Sequence, residues 1–185
     1  MKDFTISENL RGFDLTFKTT YDLFSYKAID EGTKLLIKVM DVNAAHTLLD
    51  LGCGYGPVGI VMAKLNPRAT VYMVDRDFVA VEYTKQNVEI NKIDNAEVLL
   101  SNGFSNLQHM QFDVIASNLP THIAKESLTQ MLQDAKKALR KNGRFYLVTT
   151  SRLKPFIDRL LTDVFGSVEK IEQRGEYVVS LVTNS

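Results

Sequence analysis

Positions 50 to 59 read Asp50-Leu51-Gly52-Cys53-Gly54-Tyr55-Gly56-Pro57-Val58-Gly59, and four of the chain's ten glycines fall there. Glycine lets a backbone turn sharply, take positive φ and approach a ligand with no Cβ in the way. Two cofactor chemistries fit such a turn. Gly54 to Gly59 satisfy G-x-G-x-x-G, the dinucleotide fingerprint. Asp50, directly before the first glycine, would face a pyrophosphate unfavourably. S-adenosylmethionine has no phosphate and carries a cationic amino group and a sulfonium, which an acidic entrance suits. Asp75 is a natural acceptor for ribose hydroxyls in either class and so indicates a nucleoside without choosing one. Cys53 has no histidine within a few residues to activate it and reads as a small loop residue. His46 and His109 fall in loops away from these positions.

The elements around the turn alternate. A strand at 47–51 precedes it and a helix at 57–65 follows, with Pro57 in the first helical turn. Strands follow at 70–74, 97–100, 112–116 and 144–149, and helices at 78–91 and 155–165. Leu128, Met131, Leu132, Ala135 and Leu139 mark a helix over 125–141, closed by Lys-Asn-Gly. Leu35, Leu36, Val39 and Met40 mark another over 31–40. Segments 167–170 and 177–182 around Gly175 read as a terminal hairpin, and 13–18 paired with 21–24 as an N-terminal one. This alternation implies an open, mostly parallel sheet covered by helices on both faces. Ligands of such sheets sit at the carboxyl ends of the strands. The loops at 50–56, 75–77, 101–104 and 117–122 are therefore where chemistry is expected.

Composition narrows the class. At 185 residues, 45% of them hydrophobic, the chain is expected to bury one core, and it is neither disordered nor fibrous. One cysteine excludes an internal disulfide and a multi-cysteine metal site. The N-terminal stretch has no signal-like apolar run and no stretch reaches membrane-span length, so a soluble, cytoplasmic protein is expected. Lys plus Arg equals Asp plus Glu at 22 each, which argues against nucleic acid until position is considered. Residues 125–160 hold nine basic and three acidic side chains, a local excess of +6. Part of that excess is a helix face that solvation alone explains. Arg152 and Lys154, if they flank the strand ends, would steer phosphates.

Asp50-Leu51-Gly52-Cys53-Gly54-Tyr55-Gly56 resembles the first motif of class I S-adenosylmethionine-dependent methyltransferases, and Asp75 matches their second. The resemblance covers the chain from about residue 31 to its end. It implies a Rossmann-like, doubly wound, seven-stranded sheet, mostly parallel with an antiparallel terminal strand; the small N-terminal β-hairpin adds to it. Residues 1–30 are then an extension and 31–185 the methyltransferase domain. Phe24-Ser25, Asp30-Glu31-Gly32-Thr33-Lys34-Leu35-Leu36 and Ser101-Asn102-Gly103-Phe104-Ser105 are similar to segments of the methyltransferase small-domain group. That group includes the small-subunit ribosomal RNA guanine-N2 enzymes, and this chain resembles their catalytic half.

Ser117-Asn118-Leu119-Pro120-Thr121-His122 is similar to the N-P-P-aromatic motif of enzymes that methylate amino nitrogens. A base's exocyclic amine delocalises its lone pair into the ring and is a poor nucleophile. Two acceptors holding its N–H bonds aim the lone pair at the methyl carbon, and positioning supplies most of the gain. The resemblance assigns catalysis to Asn118, Leu119 and Pro120, the second acceptor being a backbone carbonyl that Leu119 has as well as a proline. It implies S-adenosylmethionine bound by Asp50, Gly52, Cys53, Gly54, Tyr55, Gly56, Asp75, Arg76, Asn102, Gly103, Phe104 and Asn118. Thr121, His122, Arg152 and Lys154 are the expected substrate contacts. Thr121 stands where the family places an aromatic, so Phe24 or Phe104 would have to substitute. The expected activity is methyl transfer to an exocyclic amine of RNA, guanine N2 of 16S ribosomal RNA. Its partner would be ribosomal RNA or the small subunit, with no metal and no membrane, and oligomerisation left open. The same residues leave open a protein glutamine-N5 or adenine-N6 methyltransferase, a nicotinamide dehydrogenase, and a non-catalytic RNA-binding module.

Overall fold

A computed structural model describes residues 3–119 and 124–185. The chain runs β1 (Asp3–Leu10), β2 (Phe13–Thr20), α1 (Glu31–Val39), β3 (Thr47–Leu51), α2 (Pro57–Leu65), β4 (Thr70–Asp75) and α3 (Phe78–Ile90). It continues β5 (Ala96–Leu100), β6 (Phe112–Asn118), α4 (Lys125–Ala138), β7 (Leu139–Thr150), α5 (Lys154–Phe165), β8 (Glu169–Arg174) and β9 (Tyr177–Thr183). Strands β3 to β9 form one sheet in the order β5-β4-β3-β6-β7-β9-β8. All pairings are parallel except those of β9, which runs antiparallel between β7 and β8. The strand order reverses between β3 and β6, the point where a doubly wound sheet opens a crevice.

The sheet is covered on both faces because its central strands are apolar on both. Leu48, Val114, Tyr146 and Val148 face a core shared with α1, α2 and α3. Their neighbours Leu49, Ile115, Phe145 and Leu147 face a second core under α4 and α5. Successive side chains of a strand point to opposite faces, so continuous apolar runs require two covers.

Three expectations change. The N-terminal hairpin is β1 with β2, turning at Arg11 and Gly12, with φ of 54° and 88°. Residues 18–20 thus lie inside β2, and 21–24 form turns rather than a partner strand. Positive φ at both central residues is what a tight two-residue hairpin needs, and Gly12 supplies one of them without strain. Helix α4 stops at Ala138, so Lys141-Asn142-Gly143 belongs to β7, where pairing shifts between Leu139 and Arg144. Strand β6 extends to Asn118, which pairs with Val148, so Ser117 and Asn118 sit on the sheet and not in the loop after it.

The hairpin is tied to the main sheet's helices by side chains that imitate a strand edge. From α3, Asn87 Oδ1 accepts from Lys18 N and its Nδ2 donates to Lys18 O, at 2.7 and 2.9 Å. One turn on, Asn91 repeats both bonds with Thr16, at 3.0 and 2.7 Å. Residues i and i+4 of a helix share a face, as i and i+2 of a strand do, so the two spacings match. At the other end, Arg11 Nη1 donates to the carbonyls of Ile37, Lys38 and Met40 at the end of α1.

Candidate active site

The glycine turn lies at the carboxyl end of β3, where the strand order reverses. The N–H groups of Gly52 and Cys53 both donate to Val74 O at 2.9 Å, and Gly54 N donates to Asp75 Oδ2 at 2.9 Å. Helix α3 holds the carbonyls on the other side: Thr84 Oγ1 donates to Gly54 O and Asn87 Nδ2 to Tyr55 O, each at 2.8 Å. Gly52 and Gly54 have φ of 76° and 58°, and a Cβ added to either would meet nothing within 4 Å. The turn therefore borders open space, a cradle that side chains would fill.

Asp50 is 2% exposed, and its Oδ2 accepts from Gly59 N at 2.8 Å. Burial pushes its carboxyl up to about 7; the Gly59 N–H opposes this and the Asp75 charge adds to it. This arrangement separates the two cofactor chemistries. A dinucleotide rests its pyrophosphate on free N–H groups at a helix N-terminus. Here the first residue of α2 is Pro57, which has none, and Gly59 N–H already holds a carboxylate. An N–H at the end of α2 is thus taken by an acidic side chain of the protein's own. A cationic ligand without phosphate fits it and a pyrophosphate does not.

Asp75 ends β4, partly exposed. Its Oδ1 accepts from Asp77 N at 3.0 Å, which orients the carboxylate beside the turn. Arg76 follows, largely exposed. The loop after β5 is anchored by Ser101 N donating to Asp75 O at 2.8 Å, and Ser101 Oγ to Gly103 O at 2.8 Å. Asn102 is exposed in that loop; Gly103 has a φ of 58° and open space at its missing Cβ, and Phe104 packs partly against the second core. Cys53 is buried and its thiol is pushed well up by burial and the Asp50 and Asp75 charges, the opposite of a nucleophile's setting.

Beside the turn, across β3, stands the end of β6. Ser117 Oγ donates to Leu51 O at 2.7 Å and ties the two strand ends together. Asn118 Nδ2 donates to Asp30 Oδ2 at 3.0 Å and to Thr33 Oγ1 at 2.9 Å. Both amide protons are thereby used, which leaves Oδ1 as the group with bonding capacity for a ligand. Leu119 is buried and its N–H donates to Val148 O at 3.2 Å, which fixes the strand end. Pro120, Thr121 and His122 lie outside the described residues.

The remaining expected contacts divide by position. Arg152 and Lys154 follow the carboxyl end of β7, on the side of the turn; Arg152 is exposed, while Lys154 pairs with Asp158. Lys136 and Lys137 near the end of α4, with Arg140, Lys141 and Arg144, sit at the opposite, amino end of β7. Arg140 and Arg144 there face Asp113 and Asp41. Most of the local basic excess is therefore away from the crevice. Phe24 is 71% exposed on the segment whose Ser25 O accepts from Tyr55 Oη at 3.4 Å, so it flanks the turn more freely than Phe104 does. Asp30, Thr33, Thr84 and Asn87 are the site residues sequence reasoning did not single out. Among the described residues no cluster of three or more His, Cys, Asp or Glu could hold a metal, and no helix is long and apolar enough to cross a membrane.

A doubly wound sheet of this order, with a glycine turn at its reversal point and the Asp75 carboxylate bound to that turn, has the Rossmann-like architecture of the methyltransferase type. The sequence matches the methyltransferase small domain over residues 14–180, and the chain belongs to that family, whose cofactor is S-adenosylmethionine. Among solved structures, it is similar to the Thermus thermophilus 16S rRNA N2 G1207 methyltransferase RsmC, a complex with AdoMet and guanosine. The TM-score is 0.89 at 26% identity, over 99% of this chain and 51% of that one. The chain thus spans about half the length of the Thermus protein. A Pyrococcus furiosus methyltransferase superposes with a TM-score of 0.74 at 22% identity, covering 91% of this chain and 88% of that one. A ribosomal protein L11 methylase from Lactobacillus delbrueckii gives 0.68 at 19%, covering 83% and 77%. The last two share the fold.

Proposed function

We propose that the protein methylates an exocyclic amino nitrogen of RNA, guanine N2 of 16S ribosomal RNA, with 31–185 as the catalytic domain and 1–30 as an extension bracing it. The observation that carries this reading is the orientation of Asn118 at the crevice: its amide protons are spent within the protein, so its oxygen is the face offered to a ligand. A group that only accepts is what an amine with two N–H bonds needs. The Thermus structure supports the choice of guanine, because it contains guanosine and is the enzyme of a guanine N2 in 16S rRNA.

The cofactor supplies a methyl group activated by its sulfonium. Asp50, Gly52, Cys53, Gly54, Tyr55, Gly56, Asp75, Arg76, Asn102, Gly103 and Phe104 would hold it, Asp75 accepting from the ribose hydroxyls. Asn118 Oδ1 and the Leu119 carbonyl would each accept one N–H of the target amine, with Pro120 holding the Leu119 peptide extended. That turns the nitrogen lone pair toward the methyl carbon. Accepting that methyl group would leave the nitrogen cationic beside Asn118 Oδ1 and the Leu119 carbonyl, which stabilise it until it loses one proton to water. No strong base is required, since the cation is itself acidic. Thr121 and His122 would line the substrate side, Phe24 would stack on the base in place of an aromatic at position 121, and Arg152 and Lys154 would meet phosphates. A base within a duplex cannot reach a strand end, so the target nucleotide is unpaired or flipped out.

The test is transfer of labelled methyl from S-adenosylmethionine to small ribosomal subunits and to naked 16S rRNA, followed by nucleoside analysis, with Asn118→Ala alongside. N2-methylguanosine in the wild type and its loss in the variant, with cofactor affinity within about threefold, is the expected result. Label in protein or on adenine N6 would replace the substrate. Full turnover by Asn118→Ala would remove the residue from its role.

A further inference from the structure

Asn118 is met from behind by groups far away in the sequence. Asp30 caps α1: its Oδ2 accepts from Thr33 N at 3.0 Å while also receiving the Asn118 amide at 3.0 Å. Thr33 Oγ1 accepts the second amide proton at 2.9 Å and points its own hydroxyl at Asp30 Oδ2, 3.5 Å away. The other carboxylate oxygen, Oδ1, accepts from Tyr177 Oη at 2.9 Å. Burial, then the bond to Asp30, pushes the Tyr177 phenol up to about 12, so it remains a donor at any working pH. The Tyr177 ring lies against Gly32, where a Cβ would come within 2.6 Å of it. Residue 32 must be small for this ring to reach Asp30.

We propose that Asp30 is a positioning residue for methyl transfer, locking the Asn118 amide so that its oxygen and not its nitrogen faces the substrate. The inference rests on the reading of Asn118 as the amine acceptor. An isolated asparagine amide has two nearly equivalent orientations, and only one accepts from an amine. With Asp30 in place, the flipped amide would set oxygen against a carboxylate oxygen at 3.0 Å, acceptor against acceptor, and would turn an NH2 donor toward the incoming amine. A hydrogen bond to a carboxylate is also stronger than a neutral one and polarises its donor, leaving more negative charge on Oδ1. That charge sits where the nitrogen becomes cationic. Helix capping alone explains the Thr33 N–H bond, but not the convergence of Asn118 and Tyr177 on the same carboxylate.

Asp30→Ser separates the roles. Serine is a good N-cap, so the helix keeps its end, but the hydroxyl is shorter, uncharged and unable to serve Asn118 and Tyr177 together. Asp30→Asn keeps the shape and removes the charge. With methyl-labelled cofactor and 16S rRNA or small subunits, Asp30→Ser is expected to lower kcat on the order of 100-fold, with KM and cofactor affinity within about threefold. Asp30→Asn should regain at least about tenfold of that loss, and adding Asp30→Ser to Asn118→Ala should cost nothing further. Independently of any substrate, the side-chain amide signals of Asn118 in a 15N-labelled protein, assigned by their loss in Asn118→Ala, should exchange slowly in the wild type and fast in Asp30→Ser. Wild-type turnover in Asp30→Ser while Asn118→Ala is dead overturns the lock and leaves the function standing. So does a loss confined to KM or cofactor affinity, or an unchanged amide signature. Full turnover in Asn118→Ala overturns both.

Discussion

Asp50→Asn isolates the one carboxylate the fold buries beside the cofactor cradle. The Asp50 carboxyl rises from 3.8 to about 7, chiefly through burial. A carboxyl whose folded value exceeds its unfolded one makes ionisation oppose folding. Below the unfolded value both states are protonated and the effect is nil. As pH rises from there, the unfolded chain loses its proton first, and stability falls until the folded carboxyl ionises as well. Beyond that the penalty is constant. A shift of this size corresponds to about 4 kcal/mol in all, of which roughly 2.5 kcal/mol accrues between pH 5 and pH 8. Asparagine keeps an oxygen for Gly59 N–H and removes the titration; its NH2 adds a burial cost of about 1–3 kcal/mol that does not depend on pH. Urea unfolding of both proteins at the two pH values therefore reads a double difference from which titrating groups not coupled to Asp50 cancel. The variant should gain roughly 2.5 kcal/mol on the wild type between pH 5 and pH 8. A double difference near zero, or one of opposite sign, would refute the reasoning, because it would mean that water or a cation already compensates the charge in the free protein. If S-adenosylmethionine neutralises the same charge, saturating cofactor should shrink the difference, and the wild type should release a proton on binding below pH 7, seen by calorimetry in buffers of different ionisation enthalpy.

Asn87→Ala removes the two bonds to Lys18 and the one to Tyr55 O and leaves their backbone groups unpaired; a loss of about 2–4 kcal/mol in urea unfolding is expected, with faster amide exchange in β2. Gly59→Ala places a Cβ within 2.3 Å of Met73 Sδ and 3.1 Å of Asp50 Oδ2; it should destabilise by about 1–3 kcal/mol and weaken cofactor binding in calorimetry by moving α2 off the turn. On the proposed function, Arg152→Glu should weaken RNA binding and lower the slope of log affinity against log salt by about one, whereas Lys137→Glu, at the far end of β7, should leave that slope unchanged. Cys53 should resist a thiol-specific reagent in the native protein and react on unfolding, being buried with its thiol pushed up.

What could be read from the sequence was whatever a short stretch of chain decides for itself. Helix α2 runs over the residues expected of it, because Pro57 starts it and an apolar run continues it. The glycine turn and Asp75 were legible for the same reason: each is defined by its place at a strand end. The misreadings have local causes too. Gly12 offers a turn between β1 and β2, whereas pairing 13–18 with 21–24 puts the turn at 19–20; Thr19 and Thr20 are β-branched and continue β2 instead, opposite Phe4 and Asp3. Lys141-Asn142-Gly143 has the composition of a helix stop, yet Asn142 N donates to Asn184 O at 2.7 Å and Asn184 N to Gly143 O at 2.9 Å, so the residue after β9 holds the segment. Asn118 shows where local reading ends. Its type and neighbours suggest an acceptor, but the amide orientation in the structure is held by a bond to Asp30, 88 residues earlier, which in turn is bound by Tyr177, 147 residues from Asp30. No periodicity or spacing carries that information, since an asparagine looks the same in either orientation. The sheet brings the three together by placing the end of β6 beside the start of α1 and the first residue of β9 at the carboxyl end of β7. Chemistry that depends on how a group is held, rather than on which group it is, becomes visible only once those strands are in order.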